Sequence, residues 1–350
     1  MTQPSYSFPA LLTDLMNGVS LSFDDAYQVF LGILSGHLTS AQIAALLIAL
    51  RCKQETVVEV SAAATAMREL VVPVQVPQGF ELVDLCGTGG DGAKTFNIST
   101  AAMFVVAACG VLVAKHGGRS VSSRSGSADA LEALGVNIHL KPEAVSQTLQ
   151  QIGIGFMFAP NHHAAMKYAA PVRKELGVRT IFNLLGPLTN PARAKRQLMG
   201  VYDSSLLSLQ ANVLKQLGST HALIVHGANG LDELSIEGPT LIAELKNDQI
   251  TEYELTPEQV GLQTGSHRSL QANSVEESIL KFQMALNGEG GEITDIVVLN
   301  SAAALYVGGV ANSIQQGVVL AREAIRSGKA RLKLQEFVRL TQQLAQENPQ

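Results

Sequence analysis

The sequence predicts an α/β protein in which a small all-helical domain is hinged to a larger α/β domain with a central, mostly parallel sheet. Up to Leu70 the apolar residues have helical spacing and no strand-like run occurs. Pro73 and Pro77 interrupt that pattern, and from Leu82 short apolar runs alternate with helical segments. Short apolar strands alternating with helices are typical of a parallel sheet covered on both faces.

Capping signals mark the helices of the N-terminal region. Thr39 with Gln42, and Thr56 with Glu59, form capping-box patterns ahead of apolar helical segments. A further helix is expected over residues 24–34, where the apolar spacing is also helical. The N-terminal region is therefore predicted to contain helices only.

Apolar runs predict the strands of the larger domain, at 82–86, 111–114, 154–158, 222–225 and 296–299. The spacing at 166–176 predicts a helix in a less regular stretch.

Composition and charge limit the classes of partner. Hydrophobic residues make up 46% of the 350 and charged residues 16%, which indicates a globular protein. The net charge of −5 gives no reason to bind nucleic acid or an anionic membrane. Cys52, Cys86 and Cys109 are an odd number in apolar contexts and predict buried free thiols. The N-terminus also lacks a signal-peptide pattern, so we expect a cytoplasmic protein.

A glycine-rich loop, Gly87-Thr88-Gly89-Gly90-Asp91-Gly92, follows the first predicted strand. Its glycines permit positive φ and let backbone N–H groups approach a ligand closely. We expect Ser99 or Thr100 to cap the next helix, whose N-terminus favours an anion. The loop is neither a Rossmann fingerprint nor a Walker A sequence, and such loops also occur as simple tight turns. The polar residues in and after it favour a phosphorylated ligand; they are Asp91, Thr95, Asn97, Ser99 and Thr100.

A basic, serine-rich segment from Lys115 to Ser127 directly follows the second predicted strand. It lies at the carboxyl edge, where open α/β sheets bind ligands. Lys115, Arg119 and Arg124 supply positive charge, which suits a pyrophosphate; a solvated, flexible loop is the alternative. Near its end, Ser127 or Asp129 is expected to start a helix.

Asp232 and Glu233 form an acidic pair after the strand at 222–225, with no basic residue beside them. Mg²⁺ prefers few carboxylates together with waters and substrate phosphates, so the pair is a candidate Mg²⁺ site. The alternative is a solvated acidic pair in a loop. No spacing suits zinc, and His162-His163 alone does not make a site.

Basic residues also accompany the predicted helix at 166–176, namely Lys167, Arg173, Lys174 and Arg179. They are either surface charges or, where an Arg faces the cleft, a bidentate contact for a carboxylate.

Together these segments are similar to the motifs of the anthranilate phosphoribosyltransferases. The motifs are Gly-Thr-Gly-Gly-Asp-Gly with Thr-Phe-Asn-Ile-Ser-Thr-Ala, Lys-His-Gly with Arg-Ser-Val-Ser-Ser, Ala-Pro-Val-Arg-x-Glu-Leu-Gly with Arg-Thr-Ile-Phe-Asn-Leu-Leu-Gly-Pro-Leu-Thr-Asn-Pro, and Gly-Leu-Asp-Glu-Leu-Ser. They occur in family order through nearly the whole chain. The resemblance implies a helical domain of residues 1–72 plus about 166–192, an α/β domain of 73–165 plus about 193–350, and a homodimer.

The resemblance also implies an activity, the transfer of a phosphoribosyl group from phosphoribosyl pyrophosphate to the amine of anthranilate, with Mg²⁺ bound. It assigns to phosphoribosyl pyrophosphate Gly87, Gly90, Asp91, Thr95, Asn97, Ile98, Ser99, Thr100, Lys115, His116, Gly117, Gly118, Arg119, Ser120, Val121, Ser122, Ser123 and Ser127. It assigns Gly87, Gly118 and Arg173 to anthranilate, and Ser99, Asp232 and Glu233 to Mg²⁺. Lys115 would stabilise the leaving pyrophosphate, and His116 is available as a proton acceptor.

One position departs from the family motif. Gly118 stands where the family usually has Asn, so an amide is missing near anthranilate; a water replaces it or anthranilate binds more weakly. Two alternative functions are a pyrimidine nucleoside phosphorylase and a nucleic-acid-binding relative of the transferases. The Asp232–Glu233 pair argues against the first, and the net charge of −5 against the second.

Overall fold

The computed structural model describes residues 6–77, 79–119 and 126–347. Its N-terminal region is helical, as predicted, with α1 (Phe8–Met16), α2 (Phe23–Leu34), α3 (Ser40–Lys53) and α4 (Val57–Leu70). Both capping boxes are present. The Oγ1 atoms of Thr39 and Thr56 accept from the N–H groups of Gln42 and Glu59 at 3.3 Å, and both N3 side chains bond back to the caps.

The remainder of the chain forms a mixed sheet from β1 (Leu82–Gly87), β2 (Leu112–Gly117), β3 (Ile154–Phe158), β4 (Arg196–Gly200), β5 (His221–His226), β6 (Thr240–Lys246) and β7 (Gln249–Leu255). In the described part of the chain the strand order is β3-β2-β1-β4-β5-β6-β7. Strands β1 to β5 pair in parallel, and β6 and β7 add an antiparallel hairpin at one edge. The predicted fold class is confirmed.

The helices after β1 are α5 (Ile98–Ala108), α6 (Ser127–Ala133), α7 (Pro142–Ile152), α8 (Ala159–His162), α9 (Ala170–Leu176), α10 (Phe182–Leu185), α11 (Leu206–Gln216), α12 (Val275–Asn287), α13 (Glu292–Val307), α14 (Ile314–Arg326) and α15 (Lys329–Glu347). Alternate sheet residues point to opposite faces. Leu198 and Leu223 share an apolar cluster with α5 and α13. Met199 and Ile224 belong to another, which contains the N-terminal helices, α9, α10 and α11.

The strand expected at 296–299 is wrong. Ile296, Val297, Val298 and Leu299 lie within the 16-residue helix α13, and all four are buried. A short apolar run does not distinguish a buried strand from a fully buried helix, and here the surrounding residues continue the helix. The sequence prediction also missed β4 and the β6–β7 hairpin.

Proline divides the helix expected at 166–176. A 3₁₀ turn covers Ala164–Tyr168, and α9 begins anew at Ala170 with Pro171 in its first turn. Pro is favoured there because its missing N–H has no partner to lose.

The cysteines are free thiols, but the prediction that they are buried is wrong for Cys52, which is exposed; Cys86 and Cys109 are partly exposed. Within the described ranges, no helix has both the length and the apolar character needed to cross a bilayer.

Glu59 anchors the N-terminal helices, and its removal is expected to be costly. Its fully buried carboxylate accepts from Leu21 N and Lys53 Nζ, both at 2.9 Å, and from Thr56. Glu59→Ala removes the only carboxylate paired with the buried Lys53 side chain in the described structure and leaves the backbone donors of Leu21 and Thr56 without this acceptor, so we expect a loss of about 3–5 kcal/mol in the free energy of unfolding.

Urea unfolding measures this loss. The control Glu336→Ala breaks an exposed pair with Lys333 and should change the free energy by less than about 1 kcal/mol. Equal effects of the two substitutions would contradict the anchoring role.

Candidate active site

Glycines at the ends of parallel strands let one loop lie directly on the carboxyl edge of the sheet. A Cβ on Gly200, the last residue of β4, would be 1.6 Å from the carbonyl oxygen of Asp232. A Cβ on Gly87 would be 2.3 Å from Asp232 Oδ2, and one on Gly227 would be 2.5 Å from the carbonyl oxygen of Glu233. The acidic loop therefore reaches the sheet edge only because side chains are absent there.

The glycine-rich loop has the conformation that its composition predicts. Gly89, Gly90 and Gly92 have φ values of 67°, 77° and 74°, in the left-handed region that favours glycine. The Gly89 N–H donates to Asp232 Oδ2 at 2.8 Å. Asp91 Oδ1 accepts from Ala93 N at 3.1 Å, which fixes the end of the loop.

Helix α5 begins next to this loop, but not with the predicted cap. Its N-cap is Asn97, which makes no side-chain capping bond, and Ser99 and Thr100 lie inside the first turn. The Ser99 N–H instead donates to Glu233 Oε1 at 3.1 Å. A carboxylate is a favourable partner for a helix N-terminus because of the partial positive charge there.

Lys115 joins the ends of β1 and α5. Its side chain is almost entirely buried, and its Nζ donates to the Leu85 carbonyl and, at 3.1 Å, to Ser99 Oγ. Burial raises the pKa of Glu233 to about 7, although the positive charge of Lys115 opposes that shift. Burial, Asp91 and Glu233 raise the pKa of Asp232 well above its usual range.

Burial thus disfavours the ionised forms of these two acidic groups, and a bound cation would stabilise them. In the described residues no three His, Cys, Asp or Glu side chains form a ready-made metal site. Mg²⁺ needs only one or two carboxylates because waters and substrate phosphates complete its shell. Asp232, Glu233 and the Ser99 hydroxyl therefore fit Mg²⁺ in number and chemistry.

A buried carboxylate that sequence reasoning missed supports the Lys115–His116 segment. Asp84, fully buried in β1, accepts from His116 N at 3.1 Å and from Asn190 Nδ2 at 2.8 Å. Asn190 Nδ2 also donates to the Ala114 carbonyl at 2.8 Å. The sequence signal was a single Asp within an otherwise apolar strand.

His116 belongs to a group of buried histidines. Its ring is 4.9 Å from that of His163, and its Nδ1 lies 3.3 Å from the Gly186 carbonyl. Burial lowers the pKa of His116 well below its usual value and that of His163 to about 4. Neither Nε2 atom has a hydrogen-bond partner in the described structure.

Other predicted site residues have protein partners here. Thr95 forms a bridge with Gln271, and Asn97 Oδ1 accepts from Ser278 Oγ at 2.9 Å. Ile98 is in the apolar core.

The segment after β2 is described only in part. Arg119 pairs with Asp129 and Glu132 at 2.9 and 2.5 Å. As predicted, α6 begins at Ser127, and Asp129 Oδ2 accepts from Gly126 N at 2.8 Å. The predicted ligands Ser120, Val121, Ser122 and Ser123, and the basic Arg124, lie outside the described residues.

Arg173 lies half-buried on α9 with its guanidinium 5.4 Å from the centre of the Phe182 ring. Burial lowers its pKa. No carboxylate of the described chain lies within ion-pair distance of Arg173. A cation of this kind is available to an anionic ligand.

Comparison with known proteins assigns the family. A model of the glycosyl transferase family, a/b domain, matches residues 79–331, and one of the glycosyl transferase family, helical bundle domain, matches residues 9–71. The anthranilate phosphoribosyltransferase of Laribacter hongkongensis is 56% identical over 334 residues, which is 95% of this chain and 98% of the relative. The chain belongs to the anthranilate phosphoribosyltransferase family. The enzyme of that name from Leptothrix cholodnii is also 56% identical, over 95% of this chain and 96% of its own length.

Solved anthranilate phosphoribosyltransferases share the fold. The Thermus thermophilus structure has a TM-score of 0.89 and 42% identity, and the match covers 95% of this chain and 99% of that one. A Saccharomyces cerevisiae structure in complex with PRPP and Mg has a TM-score of 0.87 and 27% identity, with 96% and 98% covered. Another from the same yeast, with 4-fluoroanthranilate, has a TM-score of 0.85 and 26% identity, with 96% and 99% covered.

The contact between Gly200 and the acidic loop predicts a steric effect. In Gly200→Ala the new Cβ would collide with the backbone of Asp232, which cannot move aside as a flexible side chain does. We therefore expect the free energy of unfolding to fall by about 1–3 kcal/mol or more. Gly118→Ala is the control, since its Cβ would meet only Ala159 Cβ at 3.8 Å. In thermal unfolding, the midpoint temperature of Gly200→Ala should lie several degrees below that of the native chain, whereas that of Gly118→Ala should not change. Equal midpoints for the two variants would show that the acidic loop moves to accommodate the added Cβ.

The buried His163 predicts a pH dependence of stability. Because its folded pKa of about 4 is below the unfolded value of about 6.5, its neutral form stabilises the fold fully above pH 6.5. That stabilisation is lost as the pH falls from 6.5 to 4, by about 3 kcal/mol. Chemical denaturation of His163→Gln should show a smaller decline over this range than the native chain.

The matched control for this experiment is His37→Gln, which changes an exposed histidine and should keep the native decline. Parallel curves for the native chain and His163→Gln would rule out the role of His163.

Proposed function

We propose that this chain transfers the 5-phosphoribosyl group of phosphoribosyl pyrophosphate to the amine of anthranilate, as its relatives are named for doing. The products are pyrophosphate and N-(5-phosphoribosyl)anthranilate, a step of tryptophan biosynthesis. The observation that carries the proposal is the convergence of the glycine-rich loop, Lys115 and the Asp232–Glu233 pair at one sheet edge.

The reaction forms a bond between the amine nitrogen and C1 of the ribose while the bond from C1 to the pyrophosphate oxygen breaks. An aryl amine is a weak nucleophile, so positive charge grows on the ribose before the new bond is complete. Catalysis then depends on stabilising the leaving pyrophosphate and on holding the two substrates in line. In this proposal Lys115 and the N–H groups of the glycine-rich loop stabilise the leaving group.

Asp232, Glu233 and Ser99 would hold Mg²⁺, which when bound neutralises part of the pyrophosphate charge. Burial is the main cause of the raised pKa values of Glu233 and Asp232, and it supports this assignment because a nearby cation would stabilise the ionised carboxylates that burial disfavours.

Arg173 is the proposed contact for the anthranilate carboxylate. Its guanidinium has no acidic partner in the described chain, and its geometry suits bidentate binding of a carboxylate. The absence of a side chain at Gly118 leaves open space next to Ala159, with a distance of 3.8 Å from the ideal Cβ position.

His116 is the proposed proton acceptor. Its lowered pKa keeps the ring neutral near pH 7. With Nδ1 donating to Gly186 O, the partnerless Nε2 has a free lone pair. That atom is shielded from bulk water.

The proposed domain division assigns residues 1–72 and about 166–192 to the helical domain. The apolar contacts of Val172, Phe182 and Leu188 with the cluster of the N-terminal helices support this division. A homodimer and a cytoplasmic location are further parts of the proposal, and both follow from the sequence analysis.

Anthranilate fluorescence tests the activity. Purified chain with Mg²⁺ and phosphoribosyl pyrophosphate should deplete the anthranilate signal, and a chelator should stop the depletion. An unchanged signal would refute the proposal. Phosphorolysis of thymidine that persists in chelator would instead indicate the nucleoside phosphorylase alternative.

The acceptor site predicts opposite effects of two substitutions. Arg173→Ala removes a charged hydrogen-bonding partner worth about 1.5–3 kcal/mol, so the anthranilate KM should rise about ten- to hundredfold. Gly118→Asn adds an amide where space exists and should lower the anthranilate KM by up to about tenfold. Steady-state kinetics measure both, with Lys174→Ala as a control for charge on α9. An unchanged KM in Gly118→Asn would leave acceptor recognition to Arg173.

A further inference from the structure

Arg179 connects the helix of the proposed acceptor site to the loop of the proposed donor site. It lies two residues after Gly177, the C-cap of α9, which is the helix that carries Arg173. Its Nη2 donates to the carbonyl oxygen of Gly90, in the middle of the glycine-rich loop. The Arg179 side chain therefore extends from the end of α9, in the proposed acceptor site, to the glycine-rich loop of the proposed donor site.

Tyr202 completes this connection from the sheet side. The Arg179 guanidinium carbon lies 3.7 Å from the centre of the Tyr202 ring, within the range of a cation–π contact. The backbone N–H of Tyr202 donates to Thr88 Oγ1 at 3.1 Å. The Arg179–Tyr202 pair thus contacts the loop at two places, Thr88 and Gly90.

The glycine-rich loop has little side-chain packing of its own, so contacts from outside it matter. Ideal Cβ positions at Gly89 and Gly92 have no atom within 4 Å, so the loop is not packed against neighbouring elements there. Glycine also loses more conformational freedom on ordering than any other residue. Anchors from outside the loop therefore reduce the entropy that ligand binding must overcome.

The charge of Arg179 is also available at this loop. The side chain is exposed, and no carboxylate of the described chain lies within ion-pair distance of it. The close contact with the Tyr202 ring and the hydrogen bond to Gly90 together restrict the orientation of the guanidinium. Lys would retain the charge but neither the planar group nor the fork of donors.

We propose that Arg179 is a positioning residue that, packed against the Tyr202 ring, holds the glycine-rich loop in its donor-binding conformation. This inference rests on the proposed function. It assigns Arg179 an effect on donor binding that is separate from anthranilate recognition by Arg173.

The test measures donor binding with and without turnover. Arg179→Ala should raise the KM for phosphoribosyl pyrophosphate about tenfold. The Kd of the same donor, measured by calorimetry with Mg²⁺ and without anthranilate, should also rise about tenfold. The anthranilate KM at saturating donor should change less than twofold. Arg179→Lys should recover part of the loss. Tyr202→Leu should raise the donor KM and Kd as Arg179→Ala does, and the double variant should bind the donor no more weakly than the more severe single variant. Tyr202→Phe keeps the ring, so its donor KM should lie closer to the native value.

Lys174→Ala serves as the matched control, because it removes an exposed positive charge from helix α9, which ends just before Arg179. A donor KM within twofold of native in Arg179→Ala overturns the inference. So does an equal rise in both substrate KM values together with a lower melting temperature, since that would indicate general unfolding. A native chain that neither binds the donor nor consumes anthranilate would instead refute the proposed function.

Discussion

The close approach of the 227–235 loop to the carboxyl edge of the sheet is the constraint on which the candidate site depends. Gly87, Gly200 and Gly227 provide the space, and the loop fills it so tightly that a single added carbon would collide with backbone or carboxylate. Through this approach, Asp232 meets the glycine-rich loop and Glu233 meets the first turn of α5. One packing arrangement thus joins the 87–99 region, the end of β4 and the 227–235 loop, which are separated in the sequence.

Behind this edge, buried polar side chains form hydrogen bonds with one another and with the backbone. Asp84 and Asn190 fix the backbone before and at His116 through hydrogen bonds of 2.8–3.1 Å. Lys115 meanwhile spans from the Leu85 carbonyl to Ser99. Buried polar networks of this kind are rigid when satisfied, because each broken contact would leave a desolvated group behind. The proposed catalytic segment is therefore held in place before any ligand arrives.

Local signals were sufficient for much of this structure. The capping boxes at Thr39 and Thr56, and the glycines of the donor loop, act within a few residues, so sequence alone predicted them correctly. The strand expected at 296–299 was wrong because burial on all sides removes the periodicity that distinguishes helix from strand. Sequence analysis missed Gly200 because the reason that glycine is required there is the close approach of Asp232, a contact that only the tertiary fold creates. The expected cap at Ser99 was wrong because the helix start is satisfied by Glu233, again a distant residue.

The apolar cluster that contains the N-terminal helices does not end at those helices. Leu214 of α11 and Ile224 of β5 belong to the same cluster as Val60 and Leu47, so the helical region and one face of the sheet share a continuous core. Separating them would expose apolar surface at a cost of about 25 cal/mol per Å². The two regions should therefore unfold in one cooperative transition. An α/β fragment lacking the first 72 residues would expose an apolar face of the sheet and would be prone to aggregate.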